Sequence, residues 1–376
     1  MKFRTLLAVM FSLAVAITGA DAVYAAPAKA KCAGTAKAKA KACKPAPTAL
    51  ASKKAPRGKA VARSGAGKVA KVARAGRTAA KLTARGKRAL ARQLAAARRQ
   101  VALERAMSEP VSVQLDAHGQ PRLGSSAFYI ANQNTGEVLL QRNARLVMPI
   151  ASITKLMTAM VVLESGSSLQ EVLTIDEDDI DYLKGTNSRL TMGTRLTREK
   201  MLQLALMSSE NRAASALARN FPGGRAAFIE QMNARARLLG MNDTHFYDST
   251  GLTPRNVSSP RDLSRMVAAA ARYPLIHEFS TAAERHVDIN GVTKRFRNTN
   301  SLVKSPDWNI GVSKTGYISE AGRCLVMQAW MHGQPVVIVL MDSSGRYTRT
   351  TDAQRVRLWL DERPELLASG RGLPPG

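Results

Sequence analysis

The sequence has few of the residues that build metal sites, disulfide frameworks and histidine-based active sites. Its 376 residues include three cysteines and five histidines. No Cys-x-x-Cys or His-Glu-x-x-His motif is present, so neither a metal site nor a cofactor is expected. The Gly-x-Ser-x-Gly turn of many serine hydrolases is also absent, and the histidines show no paired spacing. These absences argue against a Ser-His-Asp triad.

Acidic residues are almost missing from one long segment near the N-terminus. Residues 27–108 contain 23 lysines and arginines against the single acid Glu104, which places +22 of the chain's net charge of +28 there. The segment also has few aromatic or branched apolar side chains, so it cannot bury enough surface to offset its conformational entropy. We predict a disordered basic tether from residue 27 to about 80 and a basic helix over 80–107.

The chain lacks an apolar run of about 20 residues, the length that spans a bilayer. A shorter run, Leu6 to Ile17, follows the positive charges of Lys2 and Arg4 and precedes several small residues. This order predicts a secretory signal peptide over residues 1–26, cleaved near Ala25, with an uncleaved anchor as the alternative. The mature protein is therefore expected in the periplasm or elsewhere outside the cytoplasm.

The basic tether raises the question of its partner. Basic tracts of this kind often bind nucleic acid, but an export signal argues against that partner here. Anionic envelope polymers or a membrane surface are the expected partners of residues 27–108, and a solvated tether without a partner is the alternative. An oxidising compartment would permit a disulfide between Cys32 and Cys43, whereas Cys324 is predicted to be a small buried residue in a strand.

From about residue 110 the composition becomes globular, and strands precede and follow a mainly helical stretch. Helices are predicted from Ala151 or Ser152, through most of residues 165–275, and over 350–362. Strands are predicted at 126–132, 137–141, within 285–297, and at 310–318, 322–332 and 335–341. This order indicates a mixed α/β (α+β) domain over residues 110–363, with an antiparallel sheet, a helical second lobe and a cleft between them. Residues 364–376 are interpreted as a C-terminal tail.

Ser152 and Lys155 form a Ser-x-x-Lys motif at a predicted helix start. Their spacing of three residues places both side chains on one helix face. A serine hydroxyl becomes a strong nucleophile when a nearby base takes its proton, and a lysine is such a base when burial or a second positive charge, here Lys314, lowers its pKa. Backbone N–H groups at the helix start would stabilise an oxyanion. A second Ser-x-x-Lys at Ser301–Lys304 shows that the motif alone is weak.

Two further motifs follow in the chain. In Ser209-Glu210-Asn211, the hydroxyl of Ser209 can relay a proton to a leaving amine and the amide of Asn211 can hold a substrate backbone. In the strand motif Lys314-Thr315-Gly316, the lysine can bind a substrate carboxylate and the glycine allows a close approach to substrate. Taken alone, Ser152 is equally well explained as a helix cap, and the other two motifs are more often a loop and a turn, but the three in this order indicate serine acyl transfer.

The three motifs resemble those of the serine-type D-Ala-D-Ala peptidases of family S11, the low-molecular-weight penicillin-binding proteins. The resemblance covers about residues 120–345. Outside the motifs it is carried by Phe246–Leu252, Asn256–Ser259, Arg261–Leu263, and by Ser313–Tyr317 with Ala321–Val326. The last two segments look most like the D-alanyl-D-alanine endopeptidase branch. The resemblance implies a β-lactamase-like sheet with a helical lobe.

The resemblance also implies a role for each site residue. Ser152 would form the acyl-enzyme, Lys155 would be its general base and Ser209 would relay a proton. The backbone N–H groups of Ser152 and Tyr317 would form the oxyanion hole. The implied substrates are peptidoglycan peptides, and β-lactams would be covalent inhibitors. The residues implied to bind substrate are Asn211, Lys314, Thr315, Gly316 and Tyr317.

Three alternatives remain open at this point. The motifs are shared by DD-carboxypeptidases, which remove a terminal D-Ala, and by β-lactamases, although the glutamate that class A β-lactamases use for deacylation has no obvious equivalent. A non-catalytic module that binds the cell wall through the basic tail is the third. The chain ends soon after the predicted catalytic domain, without the C-terminal β-rich domain and amphipathic anchor of many carboxypeptidases, and we therefore expect the endopeptidase branch.

Overall fold

A computed structural model describes residues 84–108 and 111–368 of the chain, all within one unit. The predicted signal peptide, the predicted disordered tether and the Cys32–Cys43 pair lie outside these residues. None of the helices in the described ranges is long and apolar enough to cross a membrane.

The described residues form the following helices and strands. The helices are α1 (Ala84–Ser108), α2 (Lys155–Glu164), α3 (Arg198–Met207), α4 (Asn211–Arg219), α5 (Gly224–Leu238), α6 (Pro260–Ala270), α7 (Pro274–Thr281), α8 (Thr348–Asp361) and α9 (Glu365–Ala368). The strands are β1 (Ser125–Asn132), β2 (Val138–Arg142), β3 (Met148–Pro149), β4 (Val172–Thr174), β5 (Arg195–Thr197), β6 (Val257–Ser258), β7 (Glu284–Ile289), β8 (Val292–Arg297), β9 (Asn309–Ile318), β10 (Gly322–Met331) and β11 (Gln334–Ser343).

Five strands form one antiparallel sheet in the order β2-β1-β11-β10-β9. The predicted N-terminal hairpin pairs with the last strand, with Ile130 opposite Ile338. Strand β9, which carries the Lys-Thr-Gly motif, lies at the free edge of this sheet. An edge strand leaves backbone hydrogen-bonding groups available to an extended peptide.

The sheet separates two hydrophobic cores because successive side chains of a strand point to opposite faces. Tyr129 and Val339 face the larger core, which contains helices α2 to α7. Ile130 and Leu340, their chain neighbours, face the smaller core beneath α8, where Trp359 is buried. The helical lobe therefore packs on one face of the sheet only, where β9 also contributes Val312 and Ile318 to the larger core.

Asp352 on helix α8 fixes the beginning of β1. Its carboxylate is fully buried and accepts hydrogen bonds from the backbone N–H groups of Gly124 (3.0 Å) and Ser125 (2.8 Å) and from the Ser125 hydroxyl (2.8 Å). Arg355 supplies the compensating positive charge at 3.2 Å. The beginning of β1 and helix α8 are thus joined by a buried, hydrogen-bonded carboxylate.

The structure confirms the predicted fold class, with local differences. The stretch predicted as mainly helical, residues 165–275, also contains the small strand pair of β4 with β5 and the strand β6, which pairs with β3 outside that stretch. Helix α1 begins at Ala84 and ends at Ser108, where the sequence predicts a helix over 80–107. The beginning of the predicted tail is folded, because residues 365–368 form α9 and Leu367 is buried in the smaller core.

The Asp352 network leads to a stability prediction. We expect Asp352→Ala to lower the free energy of unfolding by about 3 kcal/mol, because buried N–H donors would lose their acceptor. Urea denaturation followed by circular dichroism measures this change. Glu230→Ala, which removes an exposed carboxylate from α5, is the matched control and should stay within about 0.5 kcal/mol of the parent protein. Equal free energies of unfolding for the two variants would contradict the role of Asp352 in stabilising the beginning of β1.

Candidate active site

Ser152 lies in a tight turn at the base of helix α2. The sequence predicts an α-helix start here, but residues Ala151–Thr154 form a 3-10 turn and the α-helix begins at Lys155. Ala151 has a positive φ of 48°, a conformation that costs a non-glycine residue energy. The Thr154 hydroxyl donates to the Ala151 carbonyl at 2.8 Å and stabilises the turn. Ser152 itself is partly exposed.

Two glycines allow this turn to be enclosed by backbone from both sides. A Cβ on Gly251, whose φ is +80°, would lie 1.9 Å from the Ala151 carbonyl oxygen. A Cβ on Gly316 of the Lys-Thr-Gly motif would lie 2.9 Å from the Ile150 oxygen and 3.2 Å from the Ser152 nitrogen. The predicted close approach at Gly316 is therefore an approach to the Ser152 turn as well as to any substrate on β9.

Lys155 connects the first two motifs. Its side chain is fully buried, and its Nζ donates to Ser152 Oγ (2.9 Å), to Asn211 Oδ1 (2.7 Å) and to the Thr250 carbonyl (2.6 Å). The predicted contact between the hydroxyl and the amine is thus present in the folded protein. These three partners use all three donors of the charged amine; the neutral amine donates only two hydrogen bonds, and its lone pair can then accept from the third partner, the Ser152 hydroxyl.

The environment of Lys155 favours the neutral amine. Burial lowers the pKa of Lys155 to about 7, while the negative charges of Asp248 and Glu210 act in the opposite direction. Near neutral pH a large fraction of the amine is therefore unprotonated and can accept the Ser152 proton. Burial is the main cause here, so the second positive charge expected from the sequence is not needed to activate Lys155.

Lys314 and Ser209 form the opposite wall of the site. Lys314 is 1% exposed, and its Nζ donates to Ser209 Oγ (2.9 Å) and to the Thr315 carbonyl (2.8 Å). Burial lowers the pKa of Lys314 well below its usual value, and the charges of Lys155 and Arg349 lower it further. Ser209 has a φ of +61°, so its backbone is held in the left-handed region where the hydroxyl meets Lys314.

Asn211 is held at both ends of its amide. Its Oδ1 accepts from Lys155, and its Nδ2 donates to the Thr186 hydroxyl at 3.0 Å. The Thr186 hydroxyl donates in turn to the Asp181 carboxylate at 2.6 Å. This series of hydrogen bonds fixes which end of the amide faces the lysine, so Asn211 helps to position Lys155.

Thr315 and Tyr317 are the outermost of the predicted site residues. Thr315 is nearly buried, and its hydroxyl donates to the Thr299 hydroxyl at 2.6 Å. Tyr317 is 56% exposed, with the Arg323 guanidinium over its ring at 4.4 Å. The structure thus brings the three motifs to one cleft. The Ser301–Lys304 segment forms a separate 3-10 turn whose Lys304 is exposed.

Some residues of the site were not singled out from the sequence as site residues. The Thr250 carbonyl contacts Lys155, Thr186 orients Asn211, and the fully buried Asn256 donates to Thr154 and to the Asp248 carbonyl. Thr250 and Asn256 lie in segments that carried the family resemblance, which was the available signal. No sequence signal pointed to Thr186, because it lies in a loop outside the three motifs and meets Asn211 only in the folded chain.

Metal and thiol chemistry have no visible support in the described ranges. No group of three histidine, cysteine or carboxylate side chains there could hold a metal ion. Cys324 is buried in β10, as the sequence predicts for its strand, and burial raises the pKa of its thiol to about 11. A protonated, enclosed thiol is a poor nucleophile.

Comparison with known proteins agrees with this geometry. The chain belongs to the peptidase S11 family, described as D-alanyl-D-alanine carboxypeptidase, whose sequence profile matches residues 114–345. The protein is therefore a serine DD-peptidase, a hydrolase of the penicillin-binding class, as the resemblance implied.

Individual relatives define the branch more closely. The chain is 49% identical to a D-alanyl-D-alanine endopeptidase of Pseudomonas aeruginosa and 46% identical to one of Escherichia coli, in each case over 64% of this chain and 79% of the relative. Among solved structures it resembles the Streptomyces K15 DD-transpeptidase, with 30% identity, a TM-score of 0.59 and coverage of 64% of this chain and 98% of that one.

The pKa of Lys155 leads to a prediction about pH. Because the neutral amine is the base, the rate of acylation by a fluorescent penicillin should rise with pH, with a midpoint near 7. Lys155→Arg keeps a positive charge that cannot be removed near neutral pH, and should lower the rate by about 10²- to 10⁴-fold. Lys200→Arg, an exchange at an exposed lysine, is the control. A rate that is flat between pH 5 and 9 would contradict this role.

Proposed function

We propose that this protein is a DD-endopeptidase that cuts D-Ala-containing cross-links of peptidoglycan through an acyl-enzyme on Ser152. The observation that carries the proposal is the contact of 2.9 Å between the partly exposed Ser152 hydroxyl and the buried Lys155 amine. A nucleophile open to substrate and a base enclosed by protein are the arrangement that serine acyl transfer needs.

Acylation would proceed as follows. Lys155 takes the Ser152 proton while Oγ attacks the carbonyl carbon of the scissile peptide bond. The developing oxyanion would be stabilised by the backbone N–H groups of Ser152 and Tyr317, and the close packing of Gly316 on the Ser152 turn supports this assignment. The C–N bond then breaks, and the leaving amine receives a proton through the Ser209 hydroxyl. Water hydrolyses the ester and regenerates Ser152.

The remaining residues would hold the substrate. The Asn211 amide and the edge of β9 along Thr315, Gly316 and Tyr317 would bind the peptide backbone, as an added strand does. Lys314 would bind a carboxylate on the leaving side. β-Lactams would acylate Ser152 by the same route and act as covalent inhibitors.

The preference for cross-links over terminal D-Ala rests on the relatives. The two endopeptidases share 49% and 46% identity with this chain, while the family as a whole is described as a carboxypeptidase. Both reactions use the same acylation chemistry and differ in the leaving group. A carboxypeptidase releases one amino acid, and an endopeptidase releases a second peptide.

Digestion of purified muropeptides tests this proposal. We expect the protein to convert cross-linked dimers to monomers, and Ser152→Ala to abolish both this reaction and labelling by a fluorescent penicillin. Ser301→Ala, in the other Ser-x-x-Lys segment, is the matched control and should retain both. Loss of terminal D-Ala from pentapeptides with dimers left intact would instead establish a carboxypeptidase. Rapid nitrocefin turnover would point to a β-lactamase.

We also propose an extracytoplasmic location, with residues 27–108 as an electrostatic tether to anionic envelope polymers. Support comes from the signal-like pattern of residues 1–26 and from the net charge of +22 in the tether. Peptidoglycan peptides lie outside the cytoplasm, so export would bring the enzyme to its substrate. The tether would hold it there through the attraction of its positive charges to anionic polymers.

The tether proposal predicts a steep dependence on salt. Binding of the full-length mature chain to isolated cell envelopes should fall by at least about tenfold between 50 and 200 mM salt, because released counterions drive such binding. Replacing the lysines and arginines of residues 27–80 by glutamine should remove most of the binding and its salt dependence. Envelope binding that is equally strong at high salt would exclude an electrostatic tether.

A further inference from the structure

A cationic cavity of about 900 Å³ lies beside the active site. It is walled by the segment after β8, the beginning of β10, the turn before α8 and one face of α1. Its lining includes no acidic residue but six cationic ones: Arg92, Arg297, Lys304, Arg323, Arg346 and Arg349. Like charges brought together in one concave site create a strong positive potential, which favours an anionic occupant.

Several of these charges are not neutralised by the protein. Arg297 and Arg346 are exposed and have no ion-pair partner within the described ranges. Lys304 reaches the carboxylate of Glu284 only at 4.0 Å, and Glu284 is already paired with Arg295. Arg349 differs, because it donates to the carbonyl oxygens of β9 and β10 and supports the strands. The exposed side chains of Arg297, Lys304 and Arg346, called the rim cations below, are therefore available to an anion.

Two residues that line the cavity contact residues of the candidate active site. Thr299 lines the cavity, and its hydroxyl accepts the hydrogen bond of Thr315 at 2.6 Å. Arg323, also in the lining, stacks on the ring of Tyr317. A peptide that lies along β9 and leaves past Lys314 and Thr315 would enter this cavity directly.

We propose that this cavity binds carboxylates of the second peptide of a cross-linked substrate, the part that leaves with the amine. The proposal rests on the endopeptidase function proposed above. The leaving group of a carboxypeptidase is a single amino acid, whose carboxylate Lys314 can bind. A cross-link releases a whole peptide with carboxylates of its own, and a cavity of this size and charge accommodates such a group.

The test compares two triple variants with the same change in net charge. Arg297→Ala/Lys304→Ala/Arg346→Ala removes the rim cations, and Lys200→Ala/Arg237→Ala/Arg272→Ala removes three exposed cations elsewhere. The rim variant should raise KM for cross-linked dimers about tenfold, with kcat and penicillin acylation unchanged, because ion pairs to the second peptide are lost. A dimer whose leaving peptide has amidated carboxylates should bind the parent protein and the rim variant equally.

Other results would overturn the proposal. Equal KM values for the two triple variants, or a loss of penicillin acylation in the rim variant, would mean that the cavity does not act on the second peptide. Competition by inorganic polyphosphate that is lost in the rim variant, with dimer binding unchanged, would identify a phosphate site instead. If the parent protein cleaves no dimer, the proposed endopeptidase function fails independently of the cavity. The role of the cavity is then decided by measuring the affinity for dimers of Ser152→Ala and of Ser152→Ala combined with the three rim substitutions.

Discussion

The burial of the Lys155 amine is the constraint on which the rest of the site depends. A lysine with a pKa of about 7 is harder to protonate than a free one by about 5 kcal/mol, since each pKa unit is worth about 1.4 kcal/mol. Below pH 7 the folded protein bears this cost in full, and the cost disappears as the pH rises towards the ordinary pKa of 10.5. The surrounding fold must therefore be stable enough to keep water out of a site that opposes folding.

Backbone strain at the site is a second cost that the surrounding fold must offset. Ala151 and Ser209 both adopt positive φ angles, and each directly precedes or carries a hydroxyl that contacts a buried lysine. Rigid neighbours hold these angles, because Gly251 and Gly316 allow backbone to pack directly on the Ser152 turn. Catalytic geometry is thus set by elements from distant parts of the chain, and a change at a glycine would act on the nucleophile through packing alone.

The sequence was informative where the chemistry is local and less so where it depends on tertiary contact. The order of strands and helices predicted the sheet, and the three motifs predicted residues that the structure brings to one cleft. The 3-10 turn at Ser152 and the folded residues 365–368 were missed, because both are determined by packing against other elements. The Thr250 carbonyl was missed for a similar reason, since it meets Lys155 across 95 residues of chain.

The choice between the two DD-peptidase reactions cannot reside in the motifs that perform acylation. In the proposed mechanism Ser152, Lys155 and Ser209 act on the carbonyl carbon and the leaving nitrogen, which are the same atoms in both reactions. Discrimination must come from groups that touch the leaving peptide beyond its first residue. On the proposed path along β9, Thr315 contacts Thr299, which lines the cationic cavity. If leaving-group size decides the reaction, its determinants lie at rim positions such as Arg297 and Arg346, which no catalytic motif contains.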